Sequence, residues 1–242
     1  RPDDNGANVM SLRCSQNLIP RNMYYANFPA GIAFASVKES RPTGNCVYSI
    51  SIVDNGYSPE IDHFWTGGIS FGNWGNGPMP GNIIANNIMH DNFQNKSLTG
   101  YGDAGPQIVR TNWKDEGDPG FVNGTIPSDT SDSTLPDFRL KAGSPCIDKG
   151  EFLTHITSPS GTGATFTVEN AGFFHDGWGI PGERGDSIQL EGSKKTVRIV
   201  RIDYDTNTIT VNGALSWNNG QGLSLEYSGK APDLGACEFG GK

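Results

Sequence analysis

Apolar positions in the first half of the chain recur in short blocks that begin and end with asparagine. The three blocks, which align without gaps, are residues 17–27, 45–55 and 82–92. Two of their columns are apolar in every block and hold Ile19, Val47 and Ile84, and then Tyr24, Ile52 and Met89. Blocks that repeat at unequal spacing with fixed apolar columns are typical of a solenoid, because its loops vary in length while its short strands stay in register.

A shorter apolar patch follows each block. The patches are residues 31–32, 67–69 and 107–109, and we expect them to supply a further strand in each coil. Residues 7–12 carry a similar apolar stretch, which predicts an earlier coil. Because a bare solenoid end exposes unpaired backbone, we expect the protein to continue upstream of Arg1.

The asparagine columns favour a structural interpretation over a ligand-binding one. They hold Asn17, Asn45 and Asn82 at the block starts, and Asn27, Asn55 and Asn92 at the block ends. Asparagine tolerates the left-handed backbone of tight bends, and stacked side-chain amides can hydrogen-bond to each other along a solenoid. The columns therefore predict amide ladders.

Three later segments resemble the closing coils of bacterial right-handed parallel β-helix repeat proteins of the pectate-lyase-like superfamily. They are residues 118–122, 137–150 and 232–239. The likeness covers residues 8–150 and 231–240 and corresponds to the C-terminal part of such a protein. It implies an all-β fold, a right-handed parallel β-helix (solenoid), but says little about activity, because the same coils carry many functions.

The segment between these motifs is expected to be an inserted small β-barrel or β-sandwich. Its five alternating stretches are residues 164–168, 186–190, 196–199, 208–211 and 223–227. The predicted domains are residues 1–150 for the coils, 151–230 for the inserted module and 231–242 for the closing segment. Residues 203–207 space oxygens like a calcium loop but lack its glycine and distant glutamate, so a hairpin turn is favoured.

Composition and charge narrow the function classes. Only 35% of the residues are hydrophobic and 33 are glycine, which suits short strands and tight turns better than long helices. The formal net charge of -8 argues against nucleic acid as a partner, and no apolar run is long enough for a transmembrane segment.

The four cysteines, at positions 14, 46, 146 and 237, form no CxxC pair. Cys146 and Cys237 can form a disulfide or remain packed thiols, and packing is favoured for the other two.

The candidate catalytic residues are those a β-helix flank would need for polysaccharide chemistry. They are Asp54, Asp91, His90 and Arg21, with Glu60, Asp62 and His63 as further acids and base. Asp54 and Asp91 share a column, so register would place them about 5 Å apart on adjacent strands. Carboxylates at that spacing can share a proton or bind calcium, the one cofactor that the pattern suggests; solvated turn carboxylates are the alternative.

Aromatic residues cluster in the long turn after the second block and are candidates for substrate binding. They are Tyr57, Phe64, Trp65 and Trp74, together with Phe71. Aromatic rings can stack on sugar faces, although some of these rings are expected to pack over the solenoid instead.

Two functions fit these observations. The first is a secreted or cell-surface protein that binds or processes a polysaccharide, as a lyase or a hydrolase. The alternative is a non-catalytic surface, adhesion or filament-forming protein that associates with itself through the solenoid ends. The sequence leaves open whether the protein is an enzyme.

Overall fold

The computed structural model describes residues 17–27, 30–36, 42–57, 66–73, 77–100, 104–127 and 135–240. These residues form an all-β protein, as predicted, with two 3₁₀ turns at Phe93–Asn95 and Ala171–Phe173. They divide into two compact units: the residues up to Gly150 together with Asp233–Gly240, and Glu151–Pro232. Within the described segments, no helix is long and apolar enough to cross a membrane.

The strands of the first unit are mostly three residues long. They are β1 (Leu18–Pro20), β2 (Met23–Tyr25), β3 (Ala30–Ser36), β4 (Cys46–Tyr48), β5 (Ser51–Val53), β6 (Gly67–Asn73), β7 (Ile83–Ala85), β8 (Ile88–His90), β9 (Leu98–Thr99), β10 (Ile108–Arg110), β11 (Trp113–Lys114), β12 (Phe121–Asn123) and β13 (Asp137–Leu140).

Successive repeat blocks pair in parallel and build three sheets. The strand orders are β1-β4-β7-β10, β11-β8-β5-β2 and β3-β6-β9, while β12 and β13 form an antiparallel pair. Ile19 lies beside Val47 and Val47 beside Ile84, and all three are buried in one core. The second apolar column is in register as well, since β2, β5 and β8 pair through its members. The predicted register is therefore confirmed.

Each block bends twice, once between its first two strands and once after the second. The non-glycine residues with positive φ at these bends are Arg21, Ser49, Asn86 and Thr111 at the first bend, and Ala26, Asp54, Asp91 and Asp115 at the second. A left-handed backbone is tolerated best by asparagine and aspartate among residues with a side chain. The recurrence of both bends shows that a fourth copy of the repeat follows the third.

This fourth copy corrects the prediction for residues 107–109. They were expected to form the further strand of the third copy, but they begin the next copy: β10 pairs with β7 in the first sheet. The further strand of the third copy is β9, which continues the third sheet beside β6. The fourth copy was missed because it starts with Gln107 instead of asparagine.

Buried amides form the predicted ladder at the block starts. The Asn17 amide donates to Asn45 Oδ1 at 2.7 Å, and the Asn45 amide donates to Asn82 Oδ1 at 2.8 Å. The row continues from Asn82 to Gln107 Oε1 at 2.9 Å, because glutamine presents the same donor and acceptor.

A second ladder runs along the block ends. Asn27 donates to Asn55 Oδ1 at 2.9 Å and Asn55 donates to Asn92 Oδ1 at 3.1 Å. A third row, which sequence inspection missed, joins Asn87 to Asn112 at 2.9 Å. All these amides bond within the fold, so the structural interpretation of the asparagine columns is confirmed.

Phe71 belongs to the core of the first unit and not to a sugar-binding turn. It lies in β6 and is 1% exposed. Its ring stacks on Phe34 of β3 with centroids 4.9 Å apart. The sequence interpretation placed it among exposed aromatics because the strand is flanked by glycines.

The closing segment, defined as residues 233–240, is fastened to the coils through the Asp233 side chain. This buried carboxylate accepts hydrogen bonds from the backbone N–H of Asp148 at 2.7 Å and from that of Phe239. The backbone N–H of Leu234 donates to the carbonyl of Cys146 at 3.0 Å. Two of the motifs behind the family resemblance therefore meet in space.

The same segment also reaches the second parallel sheet. The Gly235 N–H donates to the Asn86 carbonyl at 2.9 Å, and the Ala236 N–H donates to Ser51 Oγ at 3.1 Å. The closing segment thus donates one hydrogen bond to the bend at Asn86 in the third copy and one to Ser51 of β5 in the second copy.

The second unit is one antiparallel sheet of six strands. They are β14 (Thr154–His155), β15 (Gly161–Thr167), β16 (Ser187–Leu190), β17 (Thr196–Asp203), β18 (Thr208–Trp217) and β19 (Gly222–Leu225), in the order β14-β19-β16-β17-β18-β15. The two outer strands also meet, because Ile156 after β14 forms a bridge with Val168 after β15. β17 and β18 are joined as a hairpin with Asp203 opposite Thr208, as predicted.

The described cysteines are free thiols. Cys46 and Cys146 are buried and Cys237 is half-buried, so the structure favours packing over a bond between Cys146 and Cys237. Burial raises the pKa of both Cys46 and Cys146 to about 12.

Candidate functional site

Asp54 and Asp91 lie at the same bend of successive copies. Both have a left-handed backbone, and the residues before them, Val53 and His90, are paired across β5 and β8. Neighbouring strands are about 4.8 Å apart, so the two bends are stacked one strand apart. Asp54 is buried and Asp91 is exposed at the surface of this corner.

An open cleft of about 420 Å³ lies at this bend, and we call it the corner cleft. Its lining residues are Val53, Asp54, His90, Asp91, Asp118, Phe121, Gly124, Thr125, Ile126 and Lys141. It therefore brings together three of the four predicted catalytic residues, Asp54, His90 and Asp91, and adds Asp118 and Lys141 to them.

His90 has one ring nitrogen buried below the cleft. Its Nδ1 has no hydrogen-bond partner among the described residues and lies 3.8 Å from Asp115 Oδ1. The ring packs near the edge of Phe121, with centroids 6.4 Å apart, and the side chain is 30% exposed. An imidazole that lies between a carboxylate and an open cleft is suited to proton transfer, and catalytic groups often come within hydrogen-bond distance only when substrate binds.

Asp115 is fixed behind His90 by two donors. Its Oδ1 accepts the backbone N–H of Asp91 at 2.6 Å, and its Oδ2 accepts the Ser97 hydroxyl at 2.9 Å. These bonds hold the carboxylate in place, so Asp115 can orient the His90 ring without facing the cleft itself.

Asp118 and Lys141 form an ion pair at the cleft, with Nζ and Oδ2 3.3 Å apart. The backbone N–H of Gly120 donates to Asp118 Oδ1 at 2.7 Å. This N–H, followed by the Lys141 ammonium, lowers the pKa of Asp118. The pair thus presents an ionised carboxylate and a cation to a ligand, and both are exposed.

The remaining predicted site residues are placed differently. Arg21 lies at the first bend of its block, between β1 and β2, and does not line the corner cleft. Tyr57 is near the cleft corner, because its hydroxyl is 3.5 Å from Asp91 Oδ1 and its ring packs edge-on against Phe93. The other candidates lie outside the described residues: Glu60, Asp62, His63, Phe64, Trp65 and Trp74.

Calcium was the one cofactor suggested by the sequence. Among the described residues, no group of three or more His, Cys, Asp or Glu side chains is arranged to hold a metal ion. Calcium binding therefore stays a prediction.

Sequence reasoning missed Asp115, Asp118 and Lys141. Asp115 directly follows β11 and shares the column of Val53 and His90 one copy further on, so recognising the fourth copy would have placed it beside His90. Asp118 and Lys141 belong to the segments that carried the family resemblance, where they were treated as markers of the fold. Nothing in their spacing shows that β12 and β13 bring them to this corner.

No protein-family profile matches this chain, and neither curated proteins nor solved structures show a match to it.

Proposed function

We propose that the first unit is a right-handed parallel β-helix of a secreted or cell-surface protein, and that its corner cleft binds and cleaves a polysaccharide. The three stacked parallel sheets and their amide ladders support this fold. The closed strand order of the second unit supports a small inserted β-barrel.

The observation that carries the proposed activity is the set of charges around His90. An imidazole with a carboxylate behind it opens on a cleft that also contains Asp54, Asp91 and the Asp118–Lys141 pair. General acid–base catalysis on a glycan needs a base, an acid and a group that balances substrate charge. The corner cleft holds residue types for each role.

For a uronate polymer, the expected reaction is β-elimination. His90 removes the proton from the carbon next to the uronate carboxylate, and the electron pair of that C–H bond forms a C=C bond. The C–O bond to the leaving sugar breaks, and the departing oxygen takes up a proton from water in the open cleft. Lys141 lies in the cleft as a cation that can neutralise the uronate carboxylate.

For a neutral glycan, the carboxylates can perform hydrolysis. One carboxylic acid protonates the glycosidic oxygen, while a second carboxylate activates water or attacks the sugar. Asp54 and Asp91 are one strand apart, which favours them as this pair. Lys141 is not required by this route.

The test is a screen of the protein against polygalacturonate, alginate, xylan and a neutral β-glucan. Ultraviolet absorbance detects the unsaturated product of a lyase, and reducing-end release detects either reaction. We expect turnover of at least one glycan, with a loss of about 100-fold in Asp91→Asn. The matched control is Asp205→Asn, an exposed turn residue of the second unit, which should leave the rate unchanged.

Lys141→Met separates the two routes. If the cleft eliminates across a uronate, this substitution should reduce uronate turnover about 100-fold, because the substrate carboxylate loses its counter-charge. If the cleft hydrolyses neutral glycans, their turnover should change little. Absence of product from every glycan would overturn the proposal and favour the structural, non-catalytic alternative.

A further inference from the structure

An irregular loop of the second unit, residues 174–186, has a defined shape although it contains no strand or helix. Its ends are joined because the Asp186 N–H donates to the His175 carbonyl at 3.0 Å. Asp176 holds the middle of the loop: its Oδ1 accepts the Trp178 N–H at 3.0 Å and its Oδ2 accepts the Ile202 N–H of β17 at 3.0 Å. Long loops of this kind in compact units are commonly functional.

The loop presents Trp178 to solvent with 58% of the residue exposed. Its backbone is left-handed at φ 48, an uncommon conformation for a bulky residue and one that clusters at ligand sites. Trp178 therefore combines an exposed ring with a strained backbone, and backbone strain of this kind clusters at functional sites.

The Trp178 ring is held in one orientation. It stacks on the His175 imidazole with centroids 4.6 Å apart and an interplanar angle of 22°. Burial raises the pKa of Tyr204 and the neighbouring Trp178 side chain lowers it, so the two side chains lie close together. Tyr204 in turn donates to the Phe174 carbonyl at 3.0 Å.

His175 is itself fixed on both nitrogens. Its Nδ1 accepts the Gly177 N–H at 3.1 Å, so the proton is on Nε2, which lies 3.1 Å from Asp186 Oδ1. The exposed indole therefore rests on a ring that cannot rotate. Such a support removes much of the rotamer entropy that a surface tryptophan would lose on binding.

We propose that Trp178 and Tyr204 form a glycan-stacking platform, on which a pyranose ring of the polysaccharide lies against the exposed indole face; the inference rests on the proposed function. Sugar rings present apolar C–H faces that pack on aromatic rings while their hydroxyl groups bond at the rim. The platform is small, because it consists of two side chains, Trp178 at 58% and Tyr204 at 42% exposure. A stable protein interface would need roughly 1,000 Å² or more, which favours a sugar over a protein partner.

Affinity electrophoresis of the whole chain in gels that contain each of the four glycans named above tests this platform. Wild-type protein should be retarded by at least one glycan, and Trp178→Ala should weaken that binding about tenfold or more. Trp178→Phe, which keeps a ring but loses the indole N–H, should fall between them. The matched control is Val200→Ala, another exposed apolar residue of the unit, which should bind like wild type.

The variants also separate this inference from the proposed cleavage. His90→Gln should lose turnover and keep its retardation. If Trp178→Ala is retarded like wild type, the platform is overturned while the cleft reaction can stand. If Trp178→Ala loses retardation but His90→Gln keeps full turnover, the cleft reaction fails and the platform stands. Lack of retardation by every glycan, or a change only in self-association by light scattering, would overturn the platform.

Discussion

At the residue scale, asparagine side chains in the first unit act as part of the backbone hydrogen-bond network. Asn55 is fully buried, and its Nδ2 contacts the carbonyls of Tyr24 and Val53 as well as Asn92 Oδ1. Its Oδ1 accepts both the N–H and the amide of Asn27. One side chain thus bridges three successive copies, which ties their register together.

Asn55→Ala should therefore destabilise the first unit strongly. Removing the side chain leaves several buried donors and acceptors without partners, at about 1–3 kcal/mol for each unsatisfied group. We expect the free energy of unfolding to fall by roughly 2–4 kcal/mol in urea titrations followed by circular dichroism. Asn22→Ala is the matched control, because the Asn22 side chain is exposed and donates to the nearby Pro20 carbonyl. Equal losses in the two variants would contradict the ladder account.

The thiols of Cys46 and Cys146 should be unreactive in the folded protein. Burial raises the pKa of Cys46 and Cys146 to about 12, so little of the reactive thiolate is present at neutral pH. Alkylation with iodoacetamide, read by peptide mass spectrometry, should leave both cysteines unmodified until the protein is unfolded in urea. Modification of either cysteine in native protein, at the rate found in urea, would show that this burial is wrong.

At the scale of elements, the closing segment depends on a close backbone approach at Gly235. A Cβ at this position would lie 2.7 Å from Ile88 Cδ1 and 3.0 Å from Ser51 Oγ, and the backbone has φ +90. Gly240 also has a positive φ, of +72, but a Cβ there would meet no atom within 4 Å. Alanine in place of Gly235 would therefore add both crowding and backbone strain, whereas alanine in place of Gly240 would add backbone strain alone.

Gly235→Ala should cost about 2–4 kcal/mol of unfolding free energy, as left-handed strain and overpacking add. Gly240→Ala should cost about 1 kcal/mol, from strain alone. Chemical denaturation of both variants measures the difference. A Gly235→Ala protein as stable as Gly240→Ala would contradict the packing of the closing segment on β8 and β5.

The parallel sheets could be predicted from the sequence only where the repeat kept its asparagines. Ile19, Val47 and Ile84 were aligned correctly because each lies two residues after a ladder asparagine. The fourth copy broke this rule with Gln107, whose amide serves the ladder equally well. A pattern read by residue identity misses a replacement that preserves hydrogen bonding, since the fold requires the donor and acceptor and not the residue name.

At the scale of the whole molecule, Asp233 should make stability depend on pH. Burial raises the pKa of this carboxyl above its ordinary 3.8, against the two backbone donors that lower it. Because its pKa is raised in the folded state, the Asp233 carboxyl contributes to the free energy of unfolding below pH 3.8. This contribution is lost as pH rises through the pKa of the folded state. The unfolding free energy of wild type minus that of Asp233→Asn should therefore fall as pH rises from about 3 to about 7. A difference that is constant or increases with pH would contradict this sign.

The corner cleft was predicted in part. The shared column of Asp54 and Asp91 predicted that these residues are neighbours, because register in a repeat fixes position along the strands. Asp118 lies in the turn before β12 and Lys141 directly follows β13, and these two antiparallel strands lie outside the repeat. Arg21 was placed in the site by residue type alone. It lies at the bend before the second strand of its copy, whereas Asp54 and Asp91 lie at the bend after that strand. The local sequence spacing of Asp118 and Lys141 does not show that the fold brings them to the cleft.

The most direct measurement of the central claim is the initial rate of His90→Gln on the glycan that wild-type protein cleaves fastest. Glutamine keeps much of the volume of the ring but cannot exchange a proton near neutral pH, so the rate should fall about 100-fold or more. His155→Gln, which changes an exposed histidine of the second unit, should retain the wild-type rate. A His90→Gln protein that cleaves as fast as His155→Gln would contradict the assignment of the chemistry to the corner cleft.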